Sequence, residues 1–248
     1  MSKDPRIATV ATPDGEMVTE IFGACERLRQ PGIVLYMDAR GVRDELREMC
    51  MRLAEPGFVV LLPDLYHRLG VQIGFPSETS SGTPEEAENI IRHIHATNIA
   101  GAMADTKALL EWVDADSDLD IGVYGAVGYC MGGPFAFAAA GTFPDRFAAA
   151  ASFYGVGCMS DREDSPHLLA DQVKGDLYFG YAELDHLAPV SEIAPLQSYL
   201  SALGIAHQVE LYPNVNHGFA FPRRAVYDEA ASERHWRAMF ELFGRTLR

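Results

Sequence analysis

Three residues in this chain have the types and spacing for nucleophilic chemistry, and the first sits in a small-residue turn. Gly128-Tyr129-Cys130-Met131-Gly132-Gly133 follows an apolar run ending near Val127 and precedes an alanine-rich segment from Pro134 to Ala140, which reads as strand, sharp turn and helix. Small residues two before and two after Cys130 let the backbone turn without Cβ clashes, so the thiol is presented at the start of a helix. A helix N-terminus favours negative charge and is expected to draw the thiol toward its thiolate form. Taken alone, the stretch reads equally well as a buried cysteine in a glycine-rich turn, so partners elsewhere must decide. Asp185, in Tyr181-Ala182-Glu183-Leu184-Asp185-His186, and His217, in Pro213-Asn214-Val215-Asn216-His217-Gly218-Phe219, supply an acid and a base. An imidazole can accept a thiol proton and later pass it to a leaving group, while a carboxylate fixes its tautomer and stabilises the imidazolium. Acyl transfer by such a set also needs donors for the developing oxyanion. The expected pair is the backbone N–H of Met131, after the nucleophile, and that of Ala39, in the loop after an earlier strand.

The elements that must position these groups follow from hydrophobic patterning. Ile7 to Thr12 and Met17 to Gly23 flank Pro13-Asp14-Gly15 and predict an N-terminal β-hairpin at a sheet edge. Gly32 to Met37 and Gly57 to Leu62 are continuous apolar runs of strand length, separated by an amphipathic helix with Val42, Leu46, Met49, Cys50 and Leu53 at helical spacing. Leu65 to Gly82 reads as a long surface loop. Thr83-Pro84-Glu85-Glu86 opens a helix toward Ala96, with threonine as cap and proline in the first turn. Its His93 and His95 are two apart and face different ways, which is unsuited to a metal pair on one helix face. A helix from Ile99 to Val113 leads into the strand Ile121 to Val127 that delivers Cys130. Strands at Phe147 to Gly155, Gly175 to Gly180 and Ala206 to Tyr212 alternate with a helix from Pro189 to Leu203, and a helix from Tyr227 to Leu247 closes the chain. The alternation predicts a doubly wound, mostly parallel α/β sheet, in which functional groups gather at the carboxyl ends of the strands. Cys130, Asp185 and His217 each fall just past such an end, in the nucleophile, acid, histidine order of the α/β-hydrolase fold.

At 248 residues without a Pro/Gly/Ser-rich linker, the chain is expected to form one domain over residues 1–248. Met1 to Arg6 is polar, with no apolar stretch behind it, so a cytoplasmic location is expected. The four cysteines, Cys25, Cys50, Cys130 and Cys158, lack metal-ligand or CxxC spacing and are expected to be reduced. A formal net charge of −15 argues against nucleic acid or an anionic membrane as partner. A small-molecule acyl compound is the expected partner, with no cofactor or metal, for a monomer or small homo-oligomer.

Gly-Tyr-Cys-Met-Gly-Gly, Pro63-Asp64-Leu65-Tyr66, Tyr154-Gly155-Val156-Gly157 and Asn216-His217-Gly218-Phe219 together resemble the dienelactone hydrolases (carboxymethylenebutenolidases) over nearly the whole chain. The resemblance implies a Cys130-His217-Asp185 triad that cleaves lactones or activated esters through a thioester. It also implies two points of departure. Where the family has a glutamate that helps control the thiol, this chain has Asp38, shorter by one methylene. Where the family has an arginine four residues after the histidine, to hold a substrate carboxylate, this chain has Phe221. Arg92, Arg40 and Arg223 are the candidate replacements, and Tyr154, with Tyr36, Tyr129 and Tyr181, is a candidate wall of an apolar cleft. His67 and His186 are candidate pocket residues, and Cys158 has no assigned role. The alternative reading, from another class, is a non-hydrolytic protein of the same fold that binds a small ligand or senses oxidants through Cys130.

Overall fold

The computed structural model describes residues 5–25, 28–70, 74–75 and 83–247. The chain opens with the hairpin of β1 (Arg6–Thr12) and β2 (Gly15–Phe22), paired antiparallel with Thr12 opposite Gly15. Gly15 has a φ of 135°, a region closed to most side chains, which is why glycine ends the Pro13-Asp14 turn. Six further strands follow: β3 (Arg29–Tyr36), β4 (Val59–Pro63), β5 (Asp120–Tyr129), β6 (Phe147–Phe153), β7 (Asp176–Ala182) and β8 (His207–Tyr212). They form one 8-stranded sheet in the order β1-β2-β4-β3-β5-β6-β7-β8, and every pairing from β4 onward is parallel. This is the α/β-hydrolase architecture that the alternation predicts. The apolar runs Ile33 to Tyr36 and Val59 to Leu62 are wholly buried, because crossover helices cover both faces of a parallel sheet.

The helices are α1 (Asp44–Ala54), α2 (Pro84–His95), α3 (Ile99–Ala115), α4 (Gly132–Thr142), α5 (Ile193–Ala202) and α6 (Glu229–Thr246). Three begin on a side-chain cap: Thr83 accepts from the Glu86 N–H, Asn98 from Gly101 and Asp228 from Ala231. Strand parity assigns the layers. On β5, a Cβ at Gly125 would meet the Phe243 ring of α6, and the Tyr129 hydroxyl reaches His235 of α6 at 3.1 Å. A Cβ at Gly128, on the opposite face, would lie 1.9 Å from the Gly132 carbonyl of α4. The helices α4 and α6 therefore sandwich the middle of the sheet, and α1 is tied to α6 by the Arg52–Glu233 ion pair.

Several boundaries differ from expectation, each for a local reason. β5 and β7 run two residues further, to Tyr129 and Ala182, so Cys130 follows its strand without a spacer. β3 starts earlier and passes Pro31 by a register shift between Gln30 and Gly32, since proline has no N–H for the ladder. The helix expected from Pro189 begins as a short 3-10 turn, Val190–Glu192, before α5, and a 3-10 helix at Pro166–Gln172 has no periodic signal. In the expected loop from Leu65 to Gly82, residues 67–69 form a 3-10 turn and Gly74 bridges to Gly41, while residues 71–73 and 76–82 lie outside the described residues. Among the described residues no helix is long and apolar enough to cross a membrane.

Candidate active site

Cys130 adopts a φ of 55°, a left-handed conformation that a non-glycine residue takes only when its surroundings impose it. The surroundings are glycines under compression. A Cβ at Gly132 would lie 2.3 Å from the Tyr36 carbonyl oxygen and 2.6 Å from that of Met37, and one at Gly133 would lie 2.5 Å from the Gly155 Cα. Only glycine lets the start of α4 press against the ends of β3 and β6. The elbow is pinned by the Cys130 N–H donating to the Phe153 carbonyl at 3.1 Å and by the Cys130 carbonyl accepting from Gly133 and Val156, also at 3.1 Å. The close approach to β3 brings the Met131 and Ala39 segments side by side, and both line the cavity beside Cys130. Among the described residues, neither backbone N–H is engaged in another hydrogen bond.

Asp185 and His217 meet beside this elbow. His217 Nδ1 and Asp185 Oδ2 are 2.7 Å apart, and Asp185 Oδ1 accepts from the Leu187 and Ala188 N–H groups at 2.7 and 3.1 Å. Burial alone would raise the Asp185 carboxyl, but the His217 bond and these two amides outweigh it and hold it below the usual carboxylate range. The other imidazole nitrogen, Nε2, is buried and lacks a hydrogen bond of ordinary geometry. The Cys130 sulfur is nevertheless close enough to influence the ring electrostatically. Burial would lower the imidazole, yet the neighbouring Cys130 and then Asp185 overcome this and push it up to about 9. Tyr154 packs edge-on to the His217 ring, with centroids 5.0 Å apart, and itself has a φ of 40°.

The remaining candidates are dispersed. Asp38 is spent on Arg43, whose Nη1 and Nη2 donate to Oδ1 and Oδ2 at 2.6 and 3.1 Å, and Oδ1 also accepts the Arg40 N–H. Arg43 is buried, bonds Glu45 as well, and lies 4.9 Å over the Phe221 ring, so Phe221 carries the flat face of a guanidinium. Arg40 pairs with Glu86 at 3.3 Å, Arg92 bonds Asn89 at 3.0 Å, and Arg223 pairs with Glu48. None of these arginines lines the cavity beside Cys130, and neither do Phe221, Tyr36, Tyr129, Tyr154 or Tyr181, all five of which are buried packing groups. The His67 side chain is buried against Asp105 at 3.2 Å, His186 does not line the cavity, and His95 does, while His93 is buried between Tyr66 and Phe75. Cys158 is buried with its sulfur 3.3 Å from the Ser152 hydroxyl.

Two residues of this region carry no mark in the sequence as site groups. Arg43 is one more charge on an amphipathic helix N-terminus until packing turns it inward. Tyr66 is visible only as part of Pro63-Asp64-Leu65-Tyr66. Its hydroxyl donates to the Ala39 carbonyl at 2.8 Å and lies 3.6 Å from the Met131 sulfur, so one phenol braces both segments that carry the candidate oxyanion donors. Burial, with Asp38 and Cys130 nearby, pushes that phenol far up, so it stays neutral and keeps its proton to donate.

The cavity itself holds about 500 Å³, within the usual range for small-molecule sites. It opens between the elbow, the corner joining α2 to α3, and the loops that follow β6 and β7. Comparison with known proteins identifies the family and the fold. Residues 19–247 match the dienelactone hydrolase family. A Synechocystis protein named provisionally as a carboxymethylenebutenolidase is 25% identical over 221 residues, covering 88% of this chain and 87% of that protein. The crystal structure of a provisionally named dienelactone hydrolase from Klebsiella pneumoniae superposes with a TM-score of 0.81 at 21% identity, over 97% of this chain and 98% of that one. That of the dienelactone hydrolase-like promiscuous phosphotriesterase P91, from metagenomic libraries, gives 0.74 at 23% identity, over 99% and 100%. With the family matched from the second strand to the last helix, and the same fold in its solved relatives, this chain belongs to the dienelactone hydrolase family.

Proposed function

We propose that the protein hydrolyses carboxylic esters or lactones, with Cys130 as nucleophile, His217 as acid and base, and Asp185 as the group that orients and charges the imidazole. The observation that carries the reading is the Asp185–His217 bond of 2.7 Å, with the free Nε2 beside a cysteine held at a φ of 55°. In the reactive form the thiol proton resides on Nε2, and the negative Cys130 sulfur attacks the substrate carbonyl carbon. The carbonyl π electrons move to oxygen, which receives the Met131 and Ala39 N–H groups. The intermediate collapses with loss of the alkoxide, which takes the proton from Nε2, leaving a thioester on Cys130. Neutral His217 then removes a proton from water, the hydroxide adds to the thioester carbonyl, and collapse releases the acid and regenerates the negative sulfur beside the protonated imidazole. A lactone follows the same course, with the alkoxide tethered to the acyl group. Asp38, its oxygens bonded to Arg43, is committed to that guanidinium rather than to the thiol.

The test is turnover of an activated aryl ester by Cys130→Ala and His217→Ala, with near-ultraviolet circular dichroism as the control for folding. Both variants should fall to background, and mass spectrometry of the quenched wild-type reaction should find the acyl mass on Cys130. Wild-type turnover in either variant refutes the assignment. Reversible oxidation of Cys130 with no acylation by any ester would favour the oxidant-sensing reading instead.

A further inference from the structure

The cavity's lining says which esters it admits. Its walls near Cys130 are Ile94 from α2, Ile99 from α3, Met131 and Phe135 from the elbow and α4, and Val156 and Leu187 from the loops after β6 and β7. Val156 and Leu187 also stand out at the mouth, 36% and 59% exposed, so the apolar surface continues from floor to rim. The polar side chains of the lining are those of His95, Thr97, Asn98, Ser160, Ser165 and the pair Arg162 and Asp164. Among the described lining residues Arg162 is the only Lys or Arg, and its guanidinium is forked onto Asp164 by hydrogen bonds of 2.8 and 3.0 Å. Residues 71–73 and 76–82, which lie outside the described residues, contain no Lys or Arg either. Arg224 packs directly over Gly218, outside the lining. A substrate carboxylate in this cavity would lose its hydration, meet among the described lining residues no Lys or Arg other than the Asp164-bonded Arg162, and enter a protein of net charge −15. An alkyl or aryl group would exchange water for apolar contact at every step inward.

Resting on the reading of Cys130 as nucleophile, we infer that the natural substrate class is uncharged esters or lactones with an apolar acyl group. The acyl group occupies the cavity because it stays bonded to the Cys130 sulfur after the alcohol has left, and Cys130 is part of the lining. Its length is read against the walls, and its charge against the absence of a receiving cation.

Wild-type kcat/KM on the p-nitrophenyl esters of acetate, butyrate and hexanoate should rise roughly two- to fourfold per added methylene, the transfer value of one buried methylene. The p-nitrophenyl monoester of adipate, with a carboxylate at the far end of a chain like that of hexanoate, should fall at least about tenfold below hexanoate. Equal or better turnover of the adipate ester overturns the inference. Binding of two inert analogues to the wild-type protein, hexananilide and adipic acid monoanilide, measured by calorimetry, separates the two layers of the argument. Tighter binding of hexananilide with no ester turnover would sink the hydrolase reading and leave the cavity assignment standing, whereas equal binding or preference for the monoanilide sinks the assignment whatever the turnover. Leu187→Arg, at an exposed rim position where folding is not at stake, should raise kcat/KM for the adipate ester at least about threefold by supplying the missing cation. No rise in that variant counts against charge as the basis of selection.

Discussion

Replacing Asp185 by asparagine tests the electrostatic core of the site with almost no change of shape. The amide oxygen of the new side chain could still accept the Leu187 and Ala188 N–H groups, but its NH₂ would then face the imidazole Nδ1, a donor set against a donor. The ring can answer only by moving its proton to Nε2, where it can no longer take one from Cys130, or by turning away. A charge-assisted hydrogen bond of this kind contributes about 1.5–3 kcal/mol, which corresponds to lowering the imidazole from about 9 by roughly one to two pH units. The loss of orientation should cost a further factor, so kcat should drop on the order of 10² to 10⁴. The assay is kcat/KM against pH for a neutral aryl ester: the alkaline limb should move from about 9 toward neutrality in Asp185→Asn, with KM little changed. A linked effect appears in stability. Because the folded imidazole is raised above its ordinary 6.5, the stabilisation it brings is fully present below about 6.5 and fades as the pH rises through about 9, up to roughly 3 kcal/mol in total. Urea denaturation across that window should show the fade in wild type and less of it in Asp185→Asn. Cys130→Ala, which removes the larger upward influence on the ring, should show least. An alkaline limb that stays near 9 in Asp185→Asn, with less than about a threefold loss of rate, would refute the reasoning.

Other outcomes follow from single contacts. Arg43→Met should destabilise the fold by about 3–5 kcal/mol at neutral pH, because it leaves Asp38 and Glu45 buried without their shared cation. Urea denaturation of wild type and variant at neutral pH measures the loss. Gly128→Ala places a Cβ 1.9 Å from the Gly132 carbonyl, where backbone meets backbone, so it should cost more than about 4 kcal/mol or abolish soluble expression; a Tm within a few degrees of wild type would show that the elbow can relax. Tyr66→Phe removes the donor to Ala39 and should lower kcat, per folded enzyme by active-site titration, about three- to tenfold with KM nearly unchanged; a wild-type kcat per folded enzyme would mean that the phenol only supports the fold.

Much of the architecture is legible in local pattern because local pattern is what makes it. Continuous apolar runs such as Ile33 to Tyr36 can be satisfied only as strands covered on both faces, and Thr83, Asn98 and Asp228 each cap a helix within three residues of themselves. Boundaries shift where a neighbour overrides propensity, as where β5 continues through Gly128 and Tyr129 because β3 and β6 keep pairing with it. The position of Cys130 is written in its flanking glycines, since no larger side chain fits between α4 and β3. The meeting of Asp185 with His217 is legible too, because each follows a parallel strand and parallel strands end on the same side of a sheet.

What the sequence could not disclose is which side chains from elsewhere in the chain pack around those groups. It marks Asp38 and Phe221 as departures and proposes Arg40, Arg92 and Arg223 as replacements, yet the guanidinium that lies between Asp38 and Phe221 is that of Arg43. Nothing local distinguishes Arg43 from the other charges of α1; only the packing of that helix start against the segment after β8 turns it inward. The cavity is likewise a product of assembly, bounded by α2, α3, α4 and two loops. Its apolar character is a sum over side chains such as Ile94, Phe135 and Leu187 that share no sequence pattern. Periodicity and turn chemistry thus determine which strand leads to which residue, while neighbouring strands set the last pairs of the ladder. The company that residue keeps depends on contacts between remote segments, which no local rule encodes.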